Sequence, residues 1–144
     1  MLFKVESSSM YPTVCSGSLV VARPLHSGDQ EALVKNGVYI ALRNGRPVVK
    51  RVVAGPGDAV EHRHDSYRVV PGGTDAARGR DDPRIEVSPL RAGEYFLLGD
   101  NLLSSEDSRH YGSLKREHIL ARAVAAVRVR WWGTEAPCML WRTL

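Results

Sequence analysis

The sequence predicts a mostly β, single-domain fold held together by long-range strand pairing. Three observations carry that expectation. Short runs rich in Val, Ile, Leu and Tyr recur along the chain, each bounded by Gly, Pro or Asn. Two of these runs are separated by Asn44-Gly45, the spacing and composition of a type I′ hairpin turn. Helix signals are few, and no stretch approaches the ~18 consecutive apolar residues of a membrane-spanning helix.

The elements follow in order. A first short strand leads into the polar segment 7–13, Ser-Ser-Ser-Met-Tyr-Pro-Thr, where Pro12 disfavours the α region at Tyr11 and prevents a helix. Residues 19–22 form a strand between Gly17 and Pro24. Residues 38–42 and 48–53 pair across the Asn44-Gly45 turn. Residues 59–62 and 67–70 make a second, weaker pair, and 85–87 with 95–98 a third. Between them, residues 71–82 are rich in Gly, Asp and Arg and read as a surface loop. A helical turn is expected from Leu114, giving way to strand from Val124. Residues 127–131 alternate apolar with charged, as a half-exposed strand does, and 133–144 form a tail.

Composition narrows the function classes. A chain of 144 residues matches one domain, and folding at that length buries roughly 68–70% of the unfolded surface. With 43% hydrophobic and 25% charged residues it is neither disordered nor a disulfide-dense mini-protein. Net charge is +4, with basic and acidic residues interleaved, which reads as a mixed solvated surface and gives no reason to expect nucleic acid as a partner. Trp131 and Trp132 sit near the end of the chain, not interleaved with basic residues as a nucleic-acid face requires. Trp131, Trp132 and Trp141, with Arg130 and Arg142, either pack in the core or rest at a membrane interface, without a transmembrane helix. Cys15 and Cys138 have no CxxC spacing and are read as two small hydrophobes or as a disulfide joining the chain ends. The first six residues carry no apolar h-region, so no signal peptide is expected. His62 and His64 are read as surface residues, and neither metal nor cofactor is expected.

Three segments carry groups suited to hydrolysis, which needs a nucleophile and an acceptor for its proton. The first is Ser7-Ser8-Ser9, exposed at a strand end. The second is Lys50, one of only four lysines (with Lys4, Lys35 and Lys115), set in an apolar strand ending at Gly55-Pro56-Gly57-Asp58. Burial lowers a lysine pKa, and a neutral lysine is a competent general base. Alternation puts Lys50 with Val48 and Val52, and Arg51 with Val49 and Val53, so periodicity does not choose which is buried. The third is the polar loop 99–112, Gly-Asp-Asn-Leu-Leu-Ser-Ser-Glu-Asp-Ser-Arg-His-Tyr-Gly. Asp107 and Arg109 are two apart, so on an extended stretch they leave the same face and can pair. Taken singly, each segment is equally well a solvated turn, an ordinary strand lysine and a surface Ω-loop.

In this order and spacing the three segments resemble the signal peptidase I family of serine–lysine endopeptidases. Ser7 to Thr13 meets the family's Ser-x-Ser-Met-x-Pro-Thr box. Lys50 to Asp58 meets Lys-Arg-x-x-Gly-x-Pro-Gly-Asp, with Ala54 replacing the first glycine. Residues 99–112 meet Gly-Asp-Asn-x-x-x-Ser-x-Asp-Ser-Arg-x-x-Gly in full. The resemblance implies coiled antiparallel sheets like those of signal peptidases and repressor autoproteases. It implies Ser9 as nucleophile, Lys50 as general base, and an oxyanion hole made by the Ser7 hydroxyl and the Ser9 N–H. Ser105 would orient the lysine amine, and Asp107 and Arg109 would form a structural ion pair. The implied substrate is a protein or peptide with small residues before the cut, from which a leader, signal or propeptide is removed. Two features depart from the pattern: Gly17-Ser18 stands where the family has Gly-Asp, and only six residues precede Ser7, where typical members carry a membrane anchor. The chain is also short between the second and third boxes, leaving little room for an accessory β domain. Short members of this kind include the maturation proteases of nickel-type superoxide dismutase. If the chain is complete, a cytoplasmic enzyme is expected; if not, a membrane-associated one facing the extracytoplasmic side. The alternatives are a self-cleaving repressor-type domain, which needs a cleavable N-terminal arm, and a non-catalytic β binding module, which needs neither Ser9 nor Lys50.

Overall fold

The computed structural model describes residues 1–26, 32–73, 82–128 and 141–144, the last of these without the side chains of residues 141 and 142. The strands in chain order are β1 (Leu2–Lys4), β2 (Ser18–Pro24), β3 (Val38–Arg43), β4 (Arg46–Ala54), β5 (Ala59–His62), β6 (Tyr67–Val70), β7 (Glu86–Pro89), β8 (Glu94–Leu98), β9 (Leu114–Lys115), β10 (Ile119–Arg128) and β11 (Trp141–Thr143). One helical turn, α1 (Ser108–Tyr111), lies between β8 and β9. The larger sheet runs β1-β2-β10-β3-β4-β8-β9, with β11 also paired to β10, and all of its pairings are antiparallel. A second, three-stranded sheet runs β6-β5-β7. The fold class is therefore the mostly β, antiparallel one that the sequence predicts.

Local signals place several elements where expected. Asn44 and Gly45 both take positive φ, 51° and 73°, the conformation that a type I′ turn demands and that Asn-Gly supplies at low cost. The turn sets the β3–β4 register, with Arg43 opposite Arg46 and Tyr39 opposite Lys50. β5, β6 and β7, which lie between β4 and β8 in the chain, form the second sheet. Val53, Ala54, Phe96 and Leu98 pack with Val60 and Leu90 to join the two sheets.

Other expectations are corrected. Residues 85–87 do not pair with 95–98: β7 pairs β5, while β8 pairs β4 and β9. Which strand takes a free edge is a long-range choice, set here by packing across both sheets. The helical turn near Leu114 is only a 3-10 turn at Arg116–His118, and strand begins at Ile119, five residues before Val124. Ala121, Ala123, Ala125 and Ala126 are good helix formers, but β10 lies centrally between β2 and β3, where small side chains fit and pairing overrides propensity. Within the expected tail, Trp141–Thr143 pairs with β10. His62 is buried, not on the surface; its Nε2 lies 3.0 Å from Ser88 Oγ, and burial lowers its pKa. His64 is exposed. Cys15 is buried. Cys138, Arg130, Trp131, Trp132 and most of the 71–82 loop lie outside the described residues. No helix among the described residues is long and apolar enough to cross a membrane.

Candidate active site

The turn after β1 is pinned by one apolar side chain. Met10 is fully buried against Val14, Val38 and Ile40. Burying a side chain of that size is worth roughly 1.5–3 kcal/mol, so Met10 holds the neighbouring serines beside β4. Ser7 Oγ and Ser9 Oγ lie 3.2 Å apart, and Ser9 is buried. Ser9 shares a groove of about 480 Å³ with Lys50, bounded by Lys4, Glu6, Arg46 and Val48.

Lys50 is the buried member of the β4 pair, 4% exposed, whereas Arg51 is half-buried. The Lys50 ammonium donates to Ser105 Oγ at 3.0 Å. Loss of solvation on burial pulls its pKa below the ordinary lysine range; the Asp107 carboxylate pushes the other way without reversing the shift. An amine held in this way sheds its proton more readily than a surface lysine.

The loop 99–112 is built inward, unlike a solvated Ω-loop. Ser105, Asp107, Ser108 and Arg109 are all buried. Asp107 caps α1, and its carboxylate accepts from Arg109 Nε at 2.8 Å, Arg109 Nη2 at 2.9 Å and the Gly99 N–H at 3.0 Å. The pairing is made across a helix N-cap, not along an extended stretch, because Ser108 opens the helical turn. Burial alone would raise the Asp107 pKa; hydrogen bonds from Arg109, Gly99 and Ser105 overcome that and leave it lowered. Arg109 also donates to the carbonyls of His64 and Leu102, so one guanidinium ties the loop to the second sheet.

Five further residues, to which the sequence gives no role, bring the segments together. Arg51 makes a two-pronged pair with Asp100, Nε to Oδ1 at 2.8 Å and Nη2 to Oδ2 at 2.7 Å, and Nη2 also reaches Thr13 Oγ1 at 3.5 Å. One side chain on β4 thus touches both other segments. The Asn101 N–H donates to the Ser9 carbonyl at 2.9 Å, and Asn101 Nδ2 to the Ser8 carbonyl at 3.2 Å. Gly99 sits where the segments meet: a Cβ there would lie 2.1 Å from Ser105 Oγ and 2.5 Å from the Ser9 carbonyl oxygen. Only glycine lets the backbone approach so closely. The local signals are a cation in an apolar strand and a Gly-Asp-Asn run, but their pairing spans 49 residues and has no local signature.

The family model described as signal peptidase, peptidase S26, matches residues 1–132. The chain belongs to that family. It is similar to signal peptidase I of Bacillus caldolyticus, at 29% identity over 147 residues, covering 90% of this chain and 78% of the relative. Signal peptidase I V of Bacillus subtilis (strain 168) is 24% identical over 134 residues, covering 82% and 80%. Signal peptidase IB of Staphylococcus aureus (strain Mu50) is 26% identical over 150 residues, covering 90% and 76%. Among solved structures, a signal peptidase I from Enterococcus faecalis V583 aligns with a TM-score of 0.44 at 23% identity, over 62% of this chain and 94% of that one. As a member of the peptidase S26 family, this chain is a serine-type endopeptidase acting on protein or peptide substrates. Among the described residues, Ser9, the Lys50 amine of lowered pKa and an open groove lie together.

Proposed function

We propose that Ser9 and Lys50 form a catalytic dyad that removes a leader, signal or propeptide from a protein substrate. The observation that carries the reading is the buried Lys50 amine, held by Ser105 at 3.0 Å and opening on the same groove as Ser9. Neutral Lys50 takes the Ser9 Oγ proton as Oγ bonds to the scissile carbonyl carbon. The oxyanion is met by the Ser9 N–H and the Ser7 hydroxyl, which already lies 3.2 Å from Ser9 Oγ. Collapse breaks the peptide C–N bond, and the Lys50 ammonium gives its proton to the departing amine. Water then attacks the acyl-enzyme, Lys50 takes its proton, and that proton returns to Ser9 as the ester breaks. Asp107 and Arg109 hold Ser105, and Ser105 holds the amine.

The groove supports an extended substrate. β4 pairs with β3 from Arg46 to Arg51, but its pairing with β8 begins only at Arg51, leaving the other edge of residues 46–50 open on the groove among the described residues. A peptide adding there as a strand would lay its backbone between Arg46–Lys50 and the Lys4–Ser9 segment. Small residues before the cut follow from the family resemblance, and the propeptide of a nickel-type superoxide dismutase is one candidate substrate.

The test is cleavage of a signal peptide and of such a propeptide by purified enzyme. Ser9→Ala and Lys50→Ala each abolish turnover with the fold retained, and the double variant is little worse than either, because the two act as a unit. The acid limb of the rate profile lies below the ordinary lysine range, so rate rises with pH as Lys50 loses its proton. Activity above about a tenth of the parent's in either single variant would overturn the dyad, since general base catalysis alone contributes ~10²–10⁴-fold.

A further inference from the structure

A second cavity, of about 250 Å³, shares no lining residue with the groove at Ser9. Arg23, Arg116 and Arg122 line it together with His26, Tyr39 and apolar residues that include Leu33. No Asp or Glu is among its described lining residues. The three arginines belong to different elements: Arg23 to β2, Arg122 to β10 and Arg116 to the 3-10 turn before β10.

Their placement costs the fold stability. Arg122 is the direct cross-strand partner of Arg23 on one side and of Tyr39 on the other. Like charges directly opposite one another on neighbouring strands are destabilising. No ion pair engages Arg23, Arg116 or Arg122 among the described residues. Arg116 Nη1 donates to the Ile119 carbonyl at 3.2 Å, but its Nε is buried with no hydrogen-bond partner. A buried guanidinium N–H without an acceptor calls for an explanation, and a missing acceptor is the simplest one. Tyr39 adds a donor: its hydroxyl oxygen accepts from the Val34 N–H at 2.9 Å, leaving the O–H proton free to point elsewhere.

We infer that this basin is a binding site for a phosphate group. Three guanidinium forks and the Tyr39 O–H offer donors, and a phosphate is anionic and rich in acceptors at neutral pH; arginine matches its oxygens two at a time. The cavity is large enough for a phosphate and part of whatever it esterifies. The group comes either from a soluble phosphate or from a phospholipid headgroup, and the chemistry of the site is the same for both.

The experiment titrates inorganic phosphate into the full chain, reading melting temperature and heat, against chloride at equal ionic strength. Phosphate stabilises the protein saturably, and Arg122→Gln and Arg116→Gln each weaken its affinity about tenfold, the loss of one charge-assisted contact. Without phosphate, Arg122→Gln melts no lower than the parent, because it relieves the Arg23 repulsion. Arg23→Gln, at an exposed strand end, provides the same affinity test should either of the other two variants fail to fold. Sedimentation with phosphatidylcholine vesicles containing phosphatidic acid assigns the source. Phosphate-competed co-sedimentation identifies the lipid headgroup, and phosphate binding without co-sedimentation identifies a soluble phosphate. No saturable shift beyond chloride, or an undiminished one in the Arg116→Gln/Arg122→Gln double variant, overturns the site.

Discussion

Two Asp-x-Arg triplets in this chain adopt nearly the same local geometry in opposite surroundings. In Asp82-Pro83-Arg84, Nε and Nη2 of the arginine each donate to the carboxylate at 2.9 Å, and the Arg84 N–H at 3.0 Å. In Asp107-Ser108-Arg109 the corresponding distances are 2.8, 2.9 and 3.3 Å. The side chains of Arg84 and Asp82 are 75% and 29% exposed, whereas those of Arg109 and Asp107 are 1% and 0% exposed. Sequence spacing therefore sets the pairing, and burial sets what the pairing is worth. An exposed pair exchanges one solvated arrangement for another. A buried pair has lost its solvent, so neither charge tolerates removal of the other.

The largest effect expected outside the dyad is therefore from Asp107→Ala. It strands Arg109 as a buried charge, leaves the Gly99 N–H without its acceptor and removes the cap of α1. The cost is about 3–5 kcal/mol, measured by denaturant unfolding, with turnover falling alongside because Ser105 is no longer held. If Asp107→Ala unfolds at the parent's denaturant midpoint, the burial argument fails.

Ser105→Ala sharpens the contrast, because it keeps both charges of the buried pair and removes the hydroxyl that links Asp107 to the Lys50 amine. It deletes the acceptor of the Lys50 amine at 3.0 Å. Stability drops by about 1–2 kcal/mol, the worth of the two hydrogen bonds the hydroxyl makes, to Lys50 and to Asp107, and less than the loss in Asp107→Ala. Turnover drops on the order of 10²-fold, as a mispositioned base requires. The acid limb of the rate profile moves as well, which a merely structural serine would not bring about. Equal losses of stability in Ser105→Ala and Asp107→Ala would dissolve the distinction between holding the loop and holding the amine.

What could be read from the sequence follows the same division between local and long-range physics. Asn44-Gly45 announces its own turn, and β5 and β6 run over the expected residues 59–62 and 67–70, because turn chemistry and period-2 patterning are local. The partner of β7 and the early start of β10 were not legible. One depends on which edge is free, and the other on an alanine-rich run being central in a sheet. At the candidate site the individual residues were legible as motifs. The burial of Lys50 over Arg51 was not, since both stand among valines; it is settled by Ser105, 55 positions away. Nor was Gly99, whose missing side chain matters only because Ser105 and the Ser9 carbonyl meet there.

Acid unfolding separates the pairs through linkage. The Asp107 carboxyl is held below its ordinary pKa, so its contribution is present above the usual carboxylate range and is lost as pH falls through the lower folded value. Asp107→Asn removes that dependence, and its stability is flatter with pH across this window than the parent's. Being buried, the contribution persists at high salt. An Asp107→Asn profile that parallels the parent's would place the acid-sensitive carboxylates elsewhere.

The smallest effect belongs to the exposed pair. Hydrogen bonds from the Arg84 side chain and its N–H bring the Asp82 pKa to about 2, so the interaction exists and can be titrated. Its contribution to the fold is nonetheless slight, because water and salt replace the guanidinium at little cost. Arg84→Ala therefore returns the Asp82 carboxyl toward its ordinary pKa, as carboxyl NMR would record, while the melting temperature and the rate of peptide cleavage stay at the parent's values. Added salt moves the parent's Asp82 titration in the same direction. If Arg84→Ala instead melts as low as Asp107→Ala, geometry and not burial sets the worth of these pairs.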